Sequence, residues 1–89
     1  MNPQLRPQDH EVRLRAAEKA LASAKLSHSF ACCDFGKAHE AFAGNPVKPS
    51  RLVTLVNAAQ ALRDADIQVT EALALVAFLK KECEQQTEA

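Results

Sequence analysis

Apolar positions step along the first half of the chain with a fixed rhythm. Leu14, Ala17, Leu21, Ala24, His28, Ala31, Phe35, Ala38 and Phe42 are spaced alternately by three and four residues. That spacing keeps one stripe on one side of a helix. Taken literally it describes one straight helix over 9–43, about 50 Å long at 1.5 Å per residue. A compact domain of this size has a radius of gyration of only about 12 Å. A straight helix would therefore need a partner chain alongside it. Phe30 lies well off the stripe, and a break at Ser27–Ser29, with either serine as N-cap, would let it turn inward. The expectation is thus an all-α, small three- to four-helix bundle. Its helices lie near 9–26, 29–43, 50–64 and 70–85, with the straight 9–43 helix as the alternative for the first two.

The boundaries follow local chemistry. Asp9 and Glu11 favour a helix N-terminus and sit four residues ahead of Arg13 and Arg15. Gly44 suits a left-handed C-cap, and Pro46 cannot continue a helix. Ser50 is the expected cap of the third helix, whose stripe is Leu52, Leu55, Val56, Ala59 and Leu62. "RDADIQV" reads as a connection, and Thr70 as the cap of the fourth helix. Residues 8–86 form the expected single domain, with 1–7 a flexible N-terminal arm and 87–89 a frayed tail.

The fourth helix carries apolar residues on every side through Ala72–Leu79. Soluble surface helices show a single stripe, so a helix apolar all round either lies centrally or meets a partner. Leu73, Leu75, Val76, Phe78 and Leu79 are the candidate protein-interface residues. Eight apolar residues cannot span a bilayer, which takes about 20. With no secretory h-region in "MNPQLRPQDHE", a cytoplasmic location with no membrane partner is expected.

Composition narrows the function. Lys+Arg and Asp+Glu both number 11, so no whole-domain basic field draws nucleic acid. Three cysteines without a signal peptide do not make a secreted disulfide scaffold. "KLSHSFACCDFGKAHE" is dense in ligands and nucleophiles. On a helix, His28 and Cys32 are four apart and could share an ion. His39, however, lies about 10 Å further along the axis. Cys33 points about 100° away from Cys32. No cofactor and no metal are expected. Two glycines leave no rich loop for an oxyanion hole or a phosphate cradle, so no enzyme is expected.

One stretch resembles the helix-turn-helix of Cro/C1-type repressors. Leu26-Ser27 resembles the start of that family's second helix. Cys32 stands at its small packing position, Gly36 at its turn glycine and Phe42 at a later apolar position. "KPSRLVTLVNAAQAL" resembles the Pro-Ser-opened helix that follows. The resemblance implies a DNA-binding regulator with Lys37 and His39 facing the groove. Lys37 departs from the family's apolar turn residue, Gly44 and Pro46 cut the recognition helix short, and no Arg, Asn or Gln is left there to read bases. The leading expectation is a non-enzymatic interaction protein, homodimeric, that binds and modulates another protein as an adaptor, anti-activator or inhibitor. The Cro/C1-like DNA-binding regulator is the alternative.

Overall fold

The computed structural model describes residues 7–87, with side-chain surroundings given for 9–85. It contains two helices, α1 over Pro7–Gly44 and α2 over Pro49–Thr87. They fold back on each other as an antiparallel hairpin with principal extents of 64 × 22 × 14 Å and a radius of gyration of 19.6 Å. The expected bundle of three to four helices is therefore corrected to two. Neither break forms. Between Pro7 and Gly44 the only glycine is Gly36, and no proline follows Pro7. Between Pro49 and Thr87 there is neither glycine nor a further proline. Nothing in the backbone forces a bend, so the apolar rhythm decides.

The expected caps sit inside helices. Ser29 Oγ donates to Lys25 O (3.1 Å), and Thr70 Oγ1 donates to Asp66 O (2.9 Å). Both bonds reach back one turn, as hydroxyls do in mid-helix. Ser50 lies within the first turn of α2, where its carbonyl accepts from Thr54 Oγ1 (2.9 Å), and Pro49 opens the helix. Proline fits there because its missing N–H would have no partner. Gly44 is the last residue of α1 and has no positive φ, so the left-handed cap is not used. Asn45 N instead donates to Ala41 O (3.3 Å) and Phe42 O (3.1 Å), closing the last turn before Pro46 stops the helix. Of the proposed arm, Pro7 already belongs to α1 and residues 1–6 lie outside the described residues. Of the proposed tail, Thr87 ends α2 and residues 88–89 lie outside them.

The partner that a straight α1 requires is the second half of the same chain. The stripe from Leu14 to Phe42 is buried or half-buried along its whole length, and His10 extends it by one step. On α2 the matching set is Arg51, Leu55, Ala58, Leu62, Ala65, Val69, Ala72, Val76 and Leu79, also stepping by three and four. A strict heptad on both helices gives a continuous coiled-coil seam. Cross-helix pairs set the register: His10 Nδ1 lies 3.7 Å from Glu82 Oε2, and His28 Nε2 lies 2.6 Å from Asp66 Oδ1. On that register small faces large at most levels. Ala17 falls opposite Val76, Ala24 opposite Val69 and Ala31 opposite Leu62. Leu21 in turn falls opposite Ala72. Alanine at every second seam position lets the helices approach closely and fill the gap with one large side chain per layer.

The best-buried cluster is Ala17, Val76 and Leu79, with Leu14 and Leu21 packed against it. Leu79 is 3% exposed. Burying a Val or Leu side chain of this kind contributes about 1.5–3 kcal/mol. A two-helix layer has only one inside, however. The all-round apolar segment of α2 cannot be covered on every side, and its excess stays on the surface.

Candidate functional site

The heptad sorts the remaining surface into two broad sides. One side carries an open groove of about 530 Å³ at the loop-proximal half, lined by Asp34, Lys37, Ala41, Thr54, Asn57 and Ala61 between the helices. Leu75 lies a whole number of heptads from Thr54 and Ala61, and Phe78 a whole number from Asn57, so both share this side. So does Phe30, one heptad before Lys37. All three are open to solvent: Phe30 is 63% exposed, Leu75 48% and Phe78 58%. Phe30 is the residue that a bend near Ser27–Ser29 would have turned inward; the straight helix leaves it outside.

The five candidate interface residues thus divide. Val76 and Leu79 serve the chain's own core. Leu75 and Phe78 sit on the groove side, and Leu73, also exposed, lies on the opposite side. Leu52 and Val56 accompany Leu73 there, near the other end of α2.

The opposite side holds a cluster of chemical groups. His28 and Cys32 are one turn apart on α1, and Asp66 reaches His28 from α2. His28 Nε2–H donates to Asp66 Oδ1 at 2.6 Å, while Cys32 Sγ lies 3.8 Å from His28 Nδ1. A carboxylate only accepts, so the bond to Asp66 places the ring proton on Nε2. In the neutral form of that ring Nδ1 carries a lone pair, on the edge that faces the thiol of Cys32. The cluster lies at the surface: Cys32 and Asp66 are exposed and the His28 side chain is 31% accessible. Cys32 and Asp66 engage opposite edges of the imidazole, so the three side chains do not converge on a point. Among the described residues no group of three His, Cys, Asp or Glu side chains is arranged to hold a metal ion. Cys33 faces another way, and Cys83 is half-buried near the far end of α2.

The residues that the repressor resemblance selects do not form one reading face. α1 runs through Gly36 without a turn. Lys37 lines the groove, whereas His39 lies about 200° further round the helix, its ring 6.2 Å from that of Phe35. Asp66 is the group that sequence reasoning missed. It stands 38 positions from His28 and inside a stretch that reads as a connection. Only the antiparallel register brings the two together. Among the described residues no helix is long and apolar enough to cross a membrane. No protein-family model, no curated protein and no solved structure matches the chain.

Proposed function

We propose that this chain is a non-enzymatic helical interaction module whose first partner is a second copy of itself. The observation that carries the reading is the uncovered apolar surface. The chain exposes 7000 Å², whereas a compact monomer of 9.7 kDa exposes about 5,100 Å². The excess is about 1,900 Å², more than the roughly 800 Å² that each partner contributes to a standard interface. Phe30, Leu52, Val56, Leu73, Leu75 and Phe78 are all large apolar side chains left exposed on it, and such patches mark contact surfaces.

The groove side supplies a self-complementary shape. A two-fold axis perpendicular to that side, near the middle of the rod, would exchange its two ends. Leu75 and Phe78 of one copy would then stand over the alanine-lined groove of the other, and the reverse. Such reciprocal pairing is the form of a two-fold dimer contact. The product is a four-helix bundle in which both hairpins cover their open layer. Modulation of a further protein, in the manner of an adaptor, anti-activator or inhibitor, belongs to the same reading. Leu52 and Val56 on the opposite side remain available to that partner.

Light scattering coupled to size exclusion tests the proposal. Wild type should elute with twice the chain mass at micromolar concentration. Leu75→Glu with Phe78→Glu should halve that mass, with helical circular dichroism retained. A wild-type chain that remains monomeric at 100-fold higher concentration removes the dimer.

A further inference from the structure

We infer that Cys32 is a reversible thiol-modification site that exchanges with small disulfides, His28 and Asp66 serving as its proton relay. The inference does not rest on the dimer, since the relay lies on the side away from the groove. Its warrant is the ordered chain of three groups from two helices: thiol, imidazole and carboxylate, joined at 3.8 Å and 2.6 Å. A nucleophile beside a base that a third group orients is the arrangement that activates thiols and hydroxyls.

The surroundings select the reaction. Acyl transfer needs donors aimed at a developing oxyanion. The backbone N–H groups around Cys32 are committed to the ladder of α1. Attack on a disulfide sulfur develops no oxyanion. As the Cys32 Sγ–H proton passes to His28 Nδ1, Sγ bonds to one sulfur of R–S–S–R and the S–S bond breaks. The leaving thiolate then takes the proton back from Nδ1. Cys32 is oxidised to the mixed disulfide, and half of the small disulfide is reduced to R–SH. Throughout the transfer Asp66 stabilises the imidazolium.

Cys33 cannot resolve the product. Neighbouring Cα atoms stand about 3.8 Å apart, short of the roughly 4.4–6.8 Å usual for a disulfide. Cys33 also points about 100° away round the helix. The adduct therefore persists until an external thiol removes it, which makes Cys32 a modification site and not a turnover centre.

The test uses full-length chains that keep one cysteine each, with glutathione disulfide as probe and intact mass as readout. Cys33→Ser with Cys83→Ser leaves Cys32; Cys32→Ser with Cys83→Ser leaves its neighbour, which is also exposed. At neutral pH Cys32 should gain the glutathionyl mass about tenfold faster than Cys33, and reduced glutathione should remove it; base catalysis by a positioned group supports an effect of at least this size. His28→Gln in the Cys32-only chain should bring the rate down to that of Cys33. Asp66→Asn, at an exposed position, should do so with helicity unchanged. Equal rates for the two cysteines, or a Cys32 rate unmoved by Asp66→Asn, would overturn the inference.

Discussion

Arg51 Nη1 donates to the carbonyl oxygen of Ala41 at 2.7 Å, tying the start of α2 to the last turn of α1. Helix C-termini leave carbonyls without partners, and a cation there also complements the helix dipole. Arg51 thus adds a second, charged donor to a carbonyl that Asn45 N already reaches at 3.3 Å. Arg51→Ala should lower stability by about 1 kcal/mol, read as a shift in the urea midpoint at constant slope. Arg51→Lys should recover part of it, because a single ammonium can reach the carbonyl without the fixed fork of the guanidinium. An unchanged midpoint in Arg51→Ala would show that water replaces the bond without cost.

Gly36 lies mid-helix with ordinary φ, and a Cβ built there meets nothing within 4 Å. Glycine inside a helix costs about 0.5–1 kcal/mol relative to alanine. Gly36→Ala should therefore raise the thermal midpoint. A turn glycine of the repressor type would respond in the opposite direction, since alanine is strained where φ is positive. Circular dichroism melting of the two chains distinguishes these outcomes.

Leu79 and Leu73 are six residues apart on α2 and differ in what surrounds them, 3% exposed against 48%. Leu79→Ala should cost about 2–5 kcal/mol through lost burial and the cavity it leaves. In a hairpin whose main buried cluster is Ala17, Val76 and Leu79, that is enough to remove most of the folded population. Leu73→Ala should change folding by less than about 0.5 kcal/mol. Chemical denaturation of both variants checks the contrast. Equal losses would mean that Leu73 is covered in solution.

Much of α1 could be read in the sequence because its rhythm is clean. The stripe from Leu14 to Phe42 continues through Ser27–Ser29, and the structure follows it. What misled was the size rule for compact domains, which assumes a filled sphere where this chain builds a rod. α2 was harder to read because two apolar patterns overlap. Leu52, Val56 and Ala59 suggest one phase; Leu55, Ala58, Leu62, Ala65 and Val69 carry the true seam in another. The polar letters of "RDADIQV" concealed that Ala65 is buried and Val69 half-buried at the proper step. Within the His28 cluster, the one-turn spacing of His28 and Cys32 was legible. Asp66 was not, since its position depends on a register that neither helix specifies alone. Once the seams are aligned from the Gly44–Pro49 turn, Asp66 falls beside His28 without further information.

The alternating alanine seam also has a mechanical consequence. Each layer of the hairpin touches only the layers above and below it, and Pro7 and Thr87 stand together at the end away from the turn. Tension applied between those two ends would load one layer at a time and peel the helices apart from the His10–Glu82 pair towards Arg51. Tension between the turn and the joined ends would instead act along both helices together. The same small side chains that let the helices lie close would make the rod weak as a zipper and stiff as a strut.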